Sequence, residues 1–174
     1  MAEYEFQSVD MPAEMKLEIS QQGLWGLVAR IVQIVEDKYG NEGLDALYDG
    51  LRDWDIHELN VPVLLSACGI QPGEAKPAEF VQKICNSYDD VSFIQKEKPL
   101  ITDAPDENRV LYKIHSCSVA DSINKECPKT CRIVANACLE GQATIANPNF
   151  RITADKFLSE GADACEIYVE RVDG

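Results

Sequence analysis

The residues best suited to chemistry are cysteines gathered in the second half of the chain. Cys117, Cys127, Cys131, Cys138 and Cys165 lie there, with Cys68 and Cys85 upstream. Cys127, Cys131 and Cys138 stand at i, i+4 and i+11. On a helix those positions share one face, because both rotations come within about 40° of whole turns. Cys117 closes a strand-like run ten residues before Cys127, so it can fold back over the start of that helix. His115 points the same way as Cys117 if the strand is regular.

Two chemistries want such an arrangement. In the first, Cys127 or Cys131 is a nucleophile. A thiol at a helix N-terminus gains from the dipole and the open N–H groups, both of which favour thiolate. His115 would shuttle protons. In the second, Cys117, Cys127 and Cys131 hold zinc or an iron–sulfur cluster, with His115 or Cys138 completing the set. The spacing departs from a C-x₂-C knuckle, since Pro128, Lys129 and Thr130 separate Cys127 from Cys131. One metal would take both Cys127 and Cys138 only if the helix bent. The plain alternative is packing by small thiols, which suits Cys138 and Cys165 and above all Cys68 and Cys85. Around this cluster, Lys113 and Arg109 would neutralise an acidic ligand if they face a pocket. Tyr112 or Trp25 would line one. Asp163 and Glu166 are open in the same way. His57, flanked by acids, reads as a surface or capping residue.

The elements that must position these groups follow from periodicity. Residues 1–20 read as a polar arm, or a short strand and a turn. Residues 21–39 form a helix whose inward stripe is Leu24, Leu27, Val28, Ile31, Ile34 and Val35, widened by Trp25 and Val32. Gly40 caps it, and Asn41 opens a second helix over 42–54, with Leu44, Leu47, Tyr48 and Leu51 inward. Short helices are expected over 61–70 and 77–87, opened by Pro62 and Pro77. Trp25 and Trp54 pack helices. The period then changes. Residues 91–95 read as a strand, 96–108 as a loop or ragged edge, and 109–117 as the clearest strand. A long helix over 127–146 ends at Asn147-Pro148. Strands over 151–158 and 163–172 close the chain, the last with Cys165, Ile167 and Val169 on one face and the strand at 109–117 as neighbour.

The expected fold class is therefore α+β: a helical N-terminal half packed on a small, mainly antiparallel sheet with one long helix. The organisation is an arm over 1–20 and a single domain over 21–174, with a helical lead-in over 21–89 and the cysteine-bearing part over 90–174. A chain of 174 residues with a net charge of -14 lacks the positive face that nucleic acid or an anionic membrane surface requires. No basic-then-apolar leader opens it and no apolar run is long enough to span a bilayer. With no export signal, seven cysteines point to thiols or ligands rather than a disulfide framework. The expectations are a cytoplasmic location, no nucleic acid and no membrane, with room for a small-molecule ligand and for a homodimer.

The terminal pattern N-P-x-F-x-I…L-x-x-G-A-D-A-C-E-I-Y-V over 147–169 resembles the end of the L-2-amino-thiazoline-4-carboxylic acid hydrolase-like family. Cys117 followed by Cys127-Pro128 and Cys131 fits the same outline. The chain is also similar to 4-vinyl reductase domains, whose last strand carries a cysteine after a glycine. The resemblance covers about residues 109–170. It implies either cysteine-dependent opening of a small cyclic C–N or C=N substrate, or a small-molecule or metal-binding sensor module without turnover. By the second likeness, Cys131 and the stretch Cys138-Leu139-Glu140-Gly141 lie on a helix facing a ligand cavity. A non-catalytic partner or scaffold subunit is the third reading.

Overall fold

Helix-forming runs fill the first half of the chain because apolar residues recur there at three and four. The computed structural model describes residues 11–57, 61–85, 101–117 and 119–172. Helix α1, Ala13–His57, is broken at Gly40 (φ 65, ψ -152) into two limbs. That backbone is open only to glycine at little cost, and it folds the limbs sharply. A Cβ added at Gly43 would lie 3.1 Å from Val35 Cγ1, eight residues back. Helix α2 is Val61–Ala67, and α3 is Pro77–Phe80, running on into a π-turn over Val81–Cys85.

The second half builds a four-stranded antiparallel sheet of order β1-β2-β4-β3. Its strands are β1 Ile101–Asp106, β2 Arg109–Ile114, β3 Phe150–Lys156 and β4 Cys165–Arg171. β1 is an edge strand with irregular register, as two charges and a proline there would dictate. Between β2 and β3 come α4, Ala120–Glu126, a π-turn over Cys131–Ala135, and α5, Asn136–Ala146. A 3₁₀ turn, Leu158–Glu160, precedes β4. The fold is α+β, with a helical N-terminal half and one long helix over the sheet. Among the described residues no helix is long and apolar enough to cross a membrane.

Two cores result. The larger lies between α5, the short helices and one face of the sheet, where Leu65, Ile70, Phe80, Ile84, Val110, Tyr112, Ile167 and Val169 pack. Phe80 and Phe150 meet edge-to-face at 5.9 Å. The other face of the sheet carries ion pairs, as a half-solvated antiparallel sheet does. Glu166 accepts from Lys113 at 2.8 Å and Lys156 at 3.0 Å, and Arg109 pairs with Glu170 at 2.7 Å. The smaller core joins Ala29, Val32 and Leu44 of α1 to Cys127 and Ile133.

Several expectations change. The first helix starts at Ala13, inside the stretch read as an arm. The stripe read as inward is mostly outward: Leu24 is 60% exposed, Leu27 59%, Ile31 48% and Ile34 51%. The body takes the neighbouring face instead, through Ala29 and Val32. Trp54 is exposed rather than packed. The helix expected over 127–146 begins only at 130, because α4 runs up to Cys127, which is extended (φ -152, ψ 100), and a turn follows. The strand expected over 91–95 lies outside the described residues.

Glycine decides how closely the helices meet. A Cβ at Gly141 would lie 2.8 Å from Asp55 Cβ and 2.9 Å from the Arg52 carbonyl oxygen. Gly50 has nothing within 4 Å of that position. We expect Gly141→Ala to destabilise the fold by about 2 kcal/mol through overpacking, and Gly50→Ala to stabilise it by about 0.5–1 kcal/mol through helix propensity. Urea denaturation of the two variants checks both signs.

Candidate functional site

β2 ends at Ile114, so His115, Ser116 and Cys117 follow in irregular backbone, with His115 exposed and Cys117 half-buried. The alternation that would align His115 with Cys117 therefore stops before it reaches them. Cys117 instead comes near the far end of the sheet. Cys131, at the first turn of the long helix, and Cys165, which opens β4, lie within its electrostatic reach. Three elements thus deliver three sulfurs to one neighbourhood.

The surroundings of that group are tightly tied. Cys131 hydrogen-bonds with Ser159, and Ser159 Oγ donates to the Pro128 carbonyl at 2.8 Å. Thr130 Oγ1 donates to the Cys127 carbonyl at 2.7 Å. The Leu158 N–H donates to Cys165 Sγ at 3.3 Å. Arg132 grips Glu160 with two hydrogen bonds, 2.9 and 2.7 Å, and stacks over Phe157 at 4.8 Å. Burial pushes the Cys131 thiol up to about 12, with Cys117, Cys165 and Glu160 adding to the effect and the Ser159 hydrogen bond opposing it. Burial likewise raises Cys165, against the Leu158 hydrogen bond. These are protonated thiols at neutral pH, the opposite of an activated nucleophile.

Cys127 does not join them. It sits at the C-terminal end of α4, 1% exposed, among Ala29, Val32, Leu44 and Ile133. Its N–H bonds the Ile123 carbonyl at 2.9 Å. It thus closes a helix instead of opening one. Cys138 faces elsewhere too. The π-turn over Cys131–Ala135 inserts extra backbone, and Cys138 turns to Asp55 on α1. Burial, with Asp55 beside it, holds the Cys138 thiol at about 12. Cys68 packs against the larger core. Cys68, Cys117, Cys127, Cys131, Cys138 and Cys165 are free thiols.

The other expected residues are committed to structure. Lys113 pairs across the sheet with Glu166, which Lys113 and Lys156 hold below the usual carboxylate range. Tyr112 is buried in the larger core. The set Cys117, Cys127, Cys131, Cys138 and His115 is thus spread over separate surroundings. Among the described residues no three His, Cys, Asp or Glu side chains stand as a set that would hold a metal ion.

A polar cluster between α1 and α5 was not foreseen. Asp55 is fully buried. Gln142 Nε2 donates to its Oδ2 at 3.4 Å, while Oδ1 has no hydrogen-bond partner among the described residues. Burial raises its carboxyl, against the Gln142 and Cys138 hydrogen bonds. Beside it, Tyr48 OH donates to Glu140 and accepts from Asn136 Nδ2 at 3.0 Å. Burial, then Glu140, pushes the Tyr48 hydroxyl up. Asp55 reads in sequence as one more acid at a helix end; only the neighbour Gly141, a glycine inside a helix, hints at a close crossing.

No protein-family model matches the chain, and no curated protein matches it.

Two outcomes test this picture. Iodoacetamide at pH 7.5 should alkylate Cys131 and Cys138 more slowly than free cysteine, read by mass spectrometry of digests. Asp55 should make stability fall as pH rises. Its raised carboxyl binds a proton more tightly in the folded chain, so the stability it lends is full below the unfolded value near about 4 and is lost as pH climbs through the raised one. Asp55→Asn should therefore be more stable than the parent at pH 7 and lose that advantage near pH 4, measured by urea denaturation.

Proposed function

We propose that the chain is a binding module without turnover, and that a soft, thiol-seeking ligand attaches at Cys117, Cys131 and Cys165. The observation that supports this reading is the approach of three sulfurs from three elements. Among metals, zinc suits the donor chemistry better than an iron–sulfur cluster, which takes four cysteines. The described arrangement is not a ready ligand set, so attachment needs a rearrangement of these side chains. The likeness of the C-terminal half to 4-vinyl reductase domains agrees with a sensor-type module.

The hydrolase reading has less support. It asks for a thiolate, yet Cys131 is pushed to about 12, Cys127 is packed against α1 and His115 is exposed beyond the strand.

The test is a cobalt(II) titration of the full chain purified without oxygen, followed by sulfur-to-cobalt charge-transfer absorption. One equivalent per chain is expected, with affinity rising with pH because thiol protons must leave. Cys131→Ser should weaken binding at least about tenfold, whereas Cys138→Ser should not change it. Absence of thiolate–cobalt absorption, or equal loss in both variants, would overturn the proposal. A single cysteine alkylated faster than free cysteine would favour the hydrolase instead.

A further inference from the structure

The first limb of α1 carries apolar residues on more than the face that packs on the body. Ala29 and Val32 are buried against Leu44, Cys127 and Ile133. On the adjoining face Leu17, Leu24, Leu27, Ile31 and Ile34 stay 39–60% exposed. These five are not scattered. Leu17, Leu24 and Ile31 repeat every seven residues, and Leu27 and Ile34 stand three after Leu24 and Ile31. That is the a/d seam of a helix made to meet another helix. Residues 12–20 are all exposed, so the first turns of α1 project past the body. Helices of that kind are marginal in water without a partner.

We propose that the seam is covered by the same limb of a second copy of this chain, running antiparallel about a two-fold axis. The sequence of the limb is self-complementary in that direction. The register that sets Leu24 opposite the partner's Leu27 also sets Leu17 opposite the partner's Ile34, and it uses the limb from Ala13 to Tyr39 almost end to end. The same register lays Lys16 beside the partner's Asp37, and by symmetry repeats the pair at the other end. It sets Arg30 against the partner's Gly23, a helical glycine with nothing within 4 Å of a would-be Cβ, so the long arginine finds space. Lys16, Arg30 and Asp37 are all exposed. The bare stripe is roughly 500 Å² per chain, so the pair buries on the order of 1,000 Å², the lower edge for a specific interface. A lipid surface fits less well, because Glu14, Glu18 and Asp37 flank the seam as well as Lys16 and Arg30. This inference uses none of the thiol groups and stands or falls apart from them.

Sedimentation equilibrium of the full chain over micromolar concentrations tests it. A reversible dimer is expected, and Leu24→Glu with Leu27→Glu should weaken it more than about a hundredfold by burying charge in the seam. Both sites are exposed, and unchanged circular dichroism at 222 nm would confirm that the variants fold. Lys16→Glu alone and Asp37→Lys alone should each weaken the dimer roughly three- to tenfold, and the two together should restore it. The proposal is overturned by a monomer at every concentration, by a dimer indifferent to the seam variants, or by failure of the paired swap to rescue. It is equally overturned if the parent chain stays monomeric and co-sediments with phosphatidylcholine–phosphatidylserine vesicles through the seam.

Discussion

The close crossing of α1 over α5 at Gly141 governs the arrangement of everything above the sheet. With no side chain at that position, the Arg52–Asp55 turn lies directly on the long helix. Small residues extend the effect, since Ala137, Ala143 and Ala146 are also buried on α5. A helix of this kind can be sandwiched between a sheet and a second helix at short distance on both sides. The cost is a carboxyl enclosed with one oxygen unpartnered among the described residues, whose proton affinity burial raises.

That same crossing distributes the cysteines. With α1 against one side of the long helix, Cys138 is turned into its interface with Asp55, and Cys127 is taken into the smaller core with Ala29 and Val32. Cys131 remains on the side that meets the 3₁₀ turn and the start of β4. A row of thiols on one imagined face thus becomes three separate environments. The knuckle between α4 and the long helix keeps them apart, since Lys129 pairs with Glu36 of α1 while Arg132 holds Glu160.

The crossing also leaves α1 incompletely used. Among the described residues the first limb meets the smaller core through Ala29 and Val32, and its heptad seam faces outward. Helical amphipathicity therefore has two audiences in this chain, an internal core and an external surface. The wide apolar arc of residues 24–35 is the sum of both.

The sequence by itself determined the elements whose signals are local. Gly40 and Asn41 mark the break in α1, Pro77 opens α3, Asn147-Pro148 stops α5, and alternation in β4 puts Cys165, Ile167 and Val169 on the core face. A strand end returning toward a helix start brings Cys117 within electrostatic reach of Cys131, whereas Cys127, expected with them, packs in the smaller core. What only the tertiary structure decided was which side of each helix meets which neighbour. Periodicity defines an apolar stripe but not its partner, so the seam of Leu24, Leu27, Ile31 and Ile34 reads as inward until packing is seen. A short polar helix such as Ala120–Glu126 carries little local signal, and its presence removed Cys127 from the helix start. A glycine contact and a buried aspartate are relations between residues more than eighty positions apart, and no local pattern encodes such a distance.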